Sequence, residues 1–528
     1  MKMDRLNKIA VYLFREKHYP FYILAISAFV LLFQLEGSIG NWDEAIYSEV
    51  AKEGLARNDW LSLWYKDGLW FEKPPLLIWL TMISYRIFGI SEFSTWIFPV
   101  LFGVMGILGV YYLGKMMFGP KVGLLASLVL LTTPHYLVMS RNNMMDIFLF
   151  TNLIWSFVFL MKTRENGKYL IPASAFLALA FMTKNFSSVL IYPVMAFWLY
   201  ANRRECHIGK KHIFASILVF LAIVLPWHLL MYLKYGWEFI EKYIGLHIVE
   251  RFNSNMLDLE QSSDVLYYFK VLLQRSGSWW FVLVAFLPVI FNDVRKNVNR
   301  REITTLIIWV LIFFISYSAS KTKLHHYILP IYAPISLVIA YGLYRSYLRR
   351  SIFGLLPLLI IFMNIDPATI RQVSDFGEAR LALPILLYRY FHFTEFVIYV
   401  AAIFIIAGIS IIYFSTHKPL AFKVPIFAVL LFSILIPFNP DRAPLAKEIG
   451  NKLHEKDIKI IRHMDLKNLN IDGSLVFYSY PVKIVPYRKN IKNEFDPGSV
   501  EYCLIDRSSA KDRSEVVYDF YPCAIDQN

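Results

Sequence analysis

The sequence predicts an all-α polytopic membrane protein carrying a small soluble α/β or α+β domain toward its C-terminal end. Three observations predict it. First, the 528 residues are 57% hydrophobic and only 18% charged, with a mean hydropathy of +0.46, whereas soluble domains run about 45–50% apolar and about 25% charged. Second, thirteen apolar runs approach the roughly 20 residues that a bilayer-crossing helix needs. Third, from Asn439 onward polar residues alternate with Ile, Val and Tyr, as in Gly473–Val485 and Val500–Ile505. This composition excludes a disordered chain and a small disulfide-rich secreted fold.

The apolar runs begin near Tyr19, Phe93, Val122, Met144, Tyr169, Phe186, Ile213, Trp279, Ile303, Tyr327, Ile352, Phe393 and Ala421. The first follows a basic start (Lys2, Arg5, Lys8, Arg15, Lys17) without a small-residue cleavage pattern, so a retained span is expected. With the N-terminus inside, the alternate loops carry Lys115 and Lys121; Lys162, Arg164 and Lys168; and Arg203, Arg204, Lys210 and Lys211. Further along they carry Arg295, Lys296, Arg300 and Arg301; Arg345, Arg349 and Arg350; and Lys418 and Lys423. All then fall inside, as the positive-inside rule requires. The run Pro75–Gly89 is too short to span comfortably, and counting it as a span would turn every later basic loop outward. It reads as a re-entrant or interfacial helix, and Leu381–Phe393 reads as a second such run.

Residues 1–438 thus form a transmembrane domain with long outside loops at 37–94, 231–277 and 364–393, and residues 439–528 form an outside soluble domain. The net charge of +14 fits basic loops against an anionic membrane leaflet and membrane lipids as partners. No basic–aromatic stripe on a soluble segment calls for nucleic acid. Of the three cysteines, Cys503 and Cys523 fall outside, where a disulfide is permitted and two small buried thiols are the other reading. Cys206 lies in an inside loop as a lone thiol.

The outside loops carry residues that a plain linker does not need. The first contains Asn41-Trp-Asp43-Glu44-Ala-Ile-Tyr47, then Trp70-Phe71-Glu72-Lys73-Pro74-Pro75. The stretch Arg141–Asp146 sets a carboxylate at the start of the fourth span, where the helix dipole favours it. In His247-Ile-Val-Glu-Arg251-Phe252 a helix would bring His247 and Arg251 to one face. Ser320-Lys321-Thr-Lys323-Leu-His325-His326-Tyr327 places two lysines and two histidines at the membrane boundary, on the side where positive charge is disfavoured. That breach points to a bound anion, with snorkelling toward lipid headgroups as the alternative. Residue types alone leave solvated loops, helix caps and a surface helix open for the other stretches. Carboxylates together with phosphate-sized cation clusters suit group transfer from a phosphate-linked lipid donor.

In the order and sidedness of these motifs the chain resembles the polyprenyl-phosphate-sugar transferases. These form the GT-C fold group that includes protein O-mannosyltransferases and the bacterial lipid A aminoarabinose transferases. The resemblance covers the whole length. It implies that Asp43 is the principal catalytic carboxylate with Glu44 beside it, and that Asp146 is a second carboxylate near the acceptor. It implies that Lys73, Arg251 and Lys323, with Lys321, hold the donor phosphate, and that Tyr327 donates a hydrogen bond. Tyr47, Trp70, Phe71 and Arg141 would line the donor or acceptor pocket. Glu72 and His247, with His325 or His326, resemble a metal-binding set suited to zinc. The chain departs from the pattern at Ile46 and Trp70, which bears on the identity of the sugar.

The implied reaction is one inverting displacement at the anomeric carbon of an undecaprenyl-type phosphate sugar. The acceptor is lipid A or another extracytoplasmic group, at a bacterial inner membrane. Transfer to Ser or Thr, as in protein O-mannosyltransferases, is the main alternative. A transporter or lipid flippase is the rival from another class. Such proteins keep ionisable groups at mid-span, often in repeated halves, whereas here the singled-out charges cluster in outside loops and no repeat is visible.

Overall fold

A computed structural model describes residues 16–33, 35, 37–40, 42–66, 68–250, 264–277, 279–348 and four strands between 460 and 522. The chain divides into two compact units. The first comprises Met1–Leu35, Phe71–Leu77 and Trp96–Phe438, and the second Glu36–Trp70, Ile78–Thr95 and Asn439–Asn528.

The helices are α1 (Tyr19–Leu32), α2 (Asp43–Arg57), α3 (Leu76–Phe88), α4 (Glu92–Phe118), α5 (Pro120–Leu131), α6 (Pro134–Met139), α7 (Met145–Lys162) and α8 (Leu170–Val189). They continue with α9 (Tyr192–Asn202), α10 (Lys210–Tyr235), α11 (Trp237–Ile240), α12 (Tyr267–Arg275), α13 (Trp279–Arg295), α14 (Arg300–Ala319) and α15 (Tyr332–Leu348). A π-helical segment runs over Glu241–Glu250, and a 3-10 turn over His325–Ile331 precedes α15. Proline opens α1, α5, α6 and α9, where its missing N–H is no loss and its fixed φ suits the first turn. Among the described residues, five stretches are long and apolar enough to cross a membrane: Glu92–Phe118, Met145–Lys162, Lys210–Tyr235, Arg300–Ala319 and His325–Arg345. The protein is thus a helical, multi-pass membrane protein. The expected spans from Ile352, Phe393 and Ala421, and the short run Leu381–Phe393, lie outside the described residues.

Most expected starts fall within a few residues of observed ones. The start expected near Phe186 falls two residues after the break at Lys184 that divides α8 into two helical segments. What the sequence did not mark is that the second segment ends at Val189 and a further helix starts at Tyr192.

Within the first unit, small residues let helices approach closely, as helices in a membrane require. A Cβ at Gly123 on α5 would meet the Tyr111 carbonyl oxygen of α4 at 2.4 Å, and one at Gly114 would meet the Gly123 Cα at 2.6 Å. The basic loops are tied together. Arg164 pairs with Glu205 at 3.1 Å, Arg301 with the same carboxylate at 2.7 Å, and Arg164 with Glu302 at 3.8 Å. The His207 N–H donates to the Thr163 carbonyl at 3.0 Å. Further along, Arg345 Nε and the Tyr341 hydroxyl both donate to the buried Asp293 carboxylate, at 2.7 and 2.8 Å. The loops after α7, α9 and α13 therefore share one end of this unit, the grouping that the alternation of basic loops requires.

In the second unit α2 packs with the hairpin β1 (Trp64–Tyr65) and β2 (Gly68–Leu69), and with α3. Trp79 of α3 donates from Nε1 to the Trp60 carbonyl at 2.7 Å, and the Tyr85 hydroxyl meets the Thr95 hydroxyl at 2.8 Å. The short run read as a non-spanning helix is indeed a helix of 13 residues, α3. Toward the C-terminus, β3 (Ile460–His463), β4 (Lys483–Pro486), β5 (Tyr502–Asp506) and β6 (Tyr518–Pro522) form a mixed sheet of order β4-β3-β5-β6. β3 runs parallel to both neighbours, and β5 and β6 are antiparallel. β4 and β5 fall within or next to the alternating stretches picked out in the sequence, and Pro486 ends an edge strand, where a missing donor is tolerated. Cys503 lies on β5, and Cys523 lies outside the described residues.

Candidate functional site

The first unit gathers a charged cluster among apolar spans. Asp146 is the second residue of α7 and is buried. Opposite it, α8 is helical except at Lys184, whose backbone adopts φ −151° and ψ 77°. Across this break Lys184 Nζ reaches Asp146 Oδ1 at 2.8 Å. The other carboxylate oxygen faces His326 Nε2 at 3.8 Å. The Lys73 ammonium also acts electrostatically on Asp146, and it donates to the Glu72 carbonyl at 3.3 Å. Beneath the Lys184 ammonium, 4.1 Å from its centroid, lies the Tyr327 ring, a cation–π contact. Asp146, Lys73, His326 and Tyr327 are thus brought together, and Lys184 is the residue that joins them.

Sequence reasoning missed Lys184. It also missed His135, which meets His325 Nδ1 through Nε2 at 3.1 Å and the Tyr332 hydroxyl through Nδ1 at 3.0 Å. The signal for Lys184 was present, since a lysine inside an apolar run marks a functional site by default. It was passed over because the run was split into two spans on either side of it.

Of the boundary lysines, Lys323 is buried and Lys321 exposed. Burial pushes the Lys323 ammonium below its usual range, and the Asp264 carboxylate works the other way. Arg141 is fully buried and donates from Nη2 to the Phe33 carbonyl at 2.9 Å, next to the C-terminal end of α1, where a cation is favoured. Phe71 packs edge-on against Tyr235 at 5.3 Å and Phe239 at 5.6 Å, with the Lys242 ammonium 5.8 Å from its ring.

The second unit holds the other sequence-predicted residues. Asp43 opens α2, directly after Trp42, whose backbone takes φ 63° and ψ −129°. That region favours glycine, and strain of this kind recurs at functional sites. Glu44 is buried, and its Oε2 accepts from the Gly40 N–H at 2.8 Å, closing the loop that leads into the helix. Tyr47 packs edge-on against Trp70, with ring centroids 6.0 Å apart. Deeper in α2, burial pushes the Glu49 carboxyl up to about 7 against the pull of Lys52, 3.6 Å away, and burial lowers Lys52 in turn.

Arg251 and the His247 side chain lie outside the described residues. The backbone through His247 is π-helical, closing i→i+5 bonds instead of the α spacing expected there. Among the described residues, no group of three or more His, Cys, Asp or Glu side chains gathers as a metal site. His325 faces His135, while His326 faces Asp146.

A family model described as dolichyl-phosphate-mannose-protein mannosyltransferase matches residues 72–230. An uncharacterised protein of Aquifex aeolicus (strain VF5) is 30% identical over 340 residues, covering 62% of this chain and 75% of that one. The undecaprenyl phosphate-alpha-4-amino-4-deoxy-L-arabinose arabinosyl transferase of Wigglesworthia glossinidia brevipalpis is 26% identical over 363 residues, 66% of this chain. The chain spans 61% of that transferase's length, and 54% of the transferase of the same name from Yersinia pestis (strain Pestoides F), to which it is 28% identical. Among solved structures, ArnT from Cupriavidus metallidurans bound to undecaprenyl phosphate aligns with a TM-score of 0.69 at 18% identity, covering 92% of this chain and 93% of that one. The archaeal oligosaccharyltransferase AglB from Archaeoglobus fulgidus aligns with a TM-score of 0.52 at 14% identity, covering 90% and 64%. Likeness at these identities is one of fold.

The polytopic helical fold with its buried carboxylate–lysine cluster, taken with these similarities, defines a membrane-embedded transferase. The chain belongs to the GT-C family of glycosyltransferases.

Proposed function

We propose that the protein transfers a sugar from a polyprenyl phosphate of the undecaprenyl type to lipid A, at the outer face of a bacterial inner membrane. The observation that carries this reading is the gathering of Asp146, Lys184, Lys73 and His326 in one helical unit. The name of the arabinosyl transferases and the undecaprenyl phosphate bound to ArnT from Cupriavidus metallidurans support the choice of donor, and the choice of acceptor follows the resemblance.

In the proposed step an acceptor oxygen attacks the anomeric carbon. The bond from that carbon to the phosphate oxygen breaks, and the phosphate leaves with the electron pair, inverting the centre. Phosphate is a good leaving group, so the residues' task is to stabilise its growing charge. Lys73 and Lys323, with Arg251 and Lys321, are assigned that role, and Tyr327 borders the same cluster. Fixed cations of this kind are worth roughly 100–1,000-fold in rate each. Lys184 neutralises Asp146, which keeps a buried carboxylate from repelling the phosphate. Asp43, with Glu44, is assigned the acceptor side. For a hydroxyl acceptor it serves as base, and for an ionised lipid A phosphate it orients the groups. Tyr47, Trp70, Phe71 and Arg141 are assigned to the surrounding pockets.

Zinc at Glu72, His247 and His325 or His326 is carried by the resemblance alone, and no step above uses it. Metal analysis of the purified protein tests it, with bound zinc that is lost in Glu72→Ala as the supporting result and metal-free active protein as the refuting one. The family model named for mannosyl transfer to protein favours a second reading, with Ser or Thr as acceptor. Intact-mass comparison of lipid A from cells with and without the protein tests the first reading. A gain of one sugar, absent in Asp43→Asn, supports it. Unchanged lipid A in the presence of carrier-linked sugar refutes it and moves the acceptor to protein or another glycan.

A further inference from the structure

Tyr243 is buried in the π-helical segment Glu241–Glu250, a geometry that often marks functional sites. Its ring stacks on Phe239 at 4.9 Å and meets Trp227 edge-on at 6.0 Å, so packing already fixes the ring. The hydroxyl has a separate task. His228 on α10 donates from Nδ1 to the Val224 carbonyl at 2.7 Å. In the neutral ring Nε2 is then an acceptor, and it takes the Tyr243 hydroxyl proton at 3.0 Å. With that proton committed, the Tyr243 oxygen is open to a donor, and the side-chain amide of Asn185 acts on it. Asn185 follows Lys184, the residue at which α8 loses helical geometry.

We infer that Tyr243 is a positioning residue for Lys184: the series His228–Tyr243–Asn185 anchors the break in α8 to the π-helical segment and thereby sets where Lys184 holds Asp146. The His228–Tyr243 bond has a defined direction, and removing the central hydroxyl takes away both of its contacts. The inference deepens the proposed transfer reaction and rests on that reading for its kinetic arm.

The test uses the full-length protein in detergent or nanodiscs. Tyr243→Phe keeps the ring and removes the hydroxyl. It is expected to lower kcat on the order of 10- to 100-fold, the scale of a small misplacement at a reacting centre, with donor KM little changed. In a Lys184→Gln background the same substitution is expected to add almost nothing, because residues acting through one another are non-additive. Independent of substrate, hydrogen exchange of the peptide covering residues 183–190 is expected to quicken in Tyr243→Phe. Full additivity with Lys184→Gln, or unchanged exchange over 183–190, overturns the inference. If the wild-type protein transfers no sugar, the proposed function fails, and the exchange measurement alone still decides the role of Tyr243.

Discussion

Lys184 Nζ lies 2.8 Å from Asp146 Oδ1, and both groups are withdrawn from water. Deleting one partner of such a pair strands a buried charge, at a cost of roughly 3–5 kcal/mol, whereas replacing both by neutral groups of similar size is often neutral. Lys184→Ala is therefore expected to lower thermal stability sharply, and Lys184→Met combined with Asp146→Asn to restore most of it. Unfolding in detergent, followed by tryptophan fluorescence, measures both. Equal stability of the single and double variants would contradict the pairing.

The boundary lysines separate by burial. Lys323 and Lys73 are buried and Lys321 is exposed. A cation that stabilises a leaving phosphate works best where water is excluded. Lys323→Ala and Lys73→Ala are expected to lose on the order of 100–1,000-fold in transfer rate, and Lys321→Ala to lose less. Steady-state kinetics with a polyprenyl-phosphate sugar checks the order.

Asp43 and Glu44 are neighbours with different surroundings. The Glu44 carboxylate holds the Gly40 N–H, so Glu44→Gln should weaken the loop closure and show mainly in stability. Asp43→Asn should leave the fold intact. If the acceptor is a hydroxyl, it should lower kcat roughly 100–10,000-fold. A stability loss without a rate loss in Asp43→Asn would remove Asp43 from the chemistry.

Glu49 supplies a pH dependence. Its folded-state pKa, near 7, lies above the ordinary 4.5. Between those values the folded protein holds the proton that the unfolded chain has released, so stability falls as pH rises through that window. The contribution is fully present below the ordinary value and lost above the folded one. Melting curves across that range should show the decline, and Glu49→Gln should flatten it. The lowered Lys52 has the opposite slope, at higher pH.

Much of this was legible in the sequence because hydropathy and charge sidedness are additive along the chain. The starts of α4, α5, α7 and α10 fell within three residues of expectation, and Asp146 sat at the head of its span as read. The cluster around Asp146 was less legible because it depends on backbone geometry. A helix break at Lys184 and a π-helical turn at Tyr243 are not written in residue type. Lys184 stands 38 residues from its partner and His135 190 from His325, separations across which no local periodicity carries information. Arg141 is a further case. It was expected to line the donor or acceptor pocket, and residue type did not foretell that the carbonyl of Phe33, 108 residues away, would hold its guanidinium.

The backbone of Trp42 sits where glycine would rest without strain. Conformations of this kind cost of order 1–3 kcal/mol, so the chain is less stable than it need be at the residue that introduces Asp43. A thermostability screen should therefore recover glycine at position 42 early. Such a winner would be informative for its failures as well as its melting point: if robustness rises while turnover drops, the tension in this one peptide unit has been kept by selection as the setting of the carboxylate that follows it.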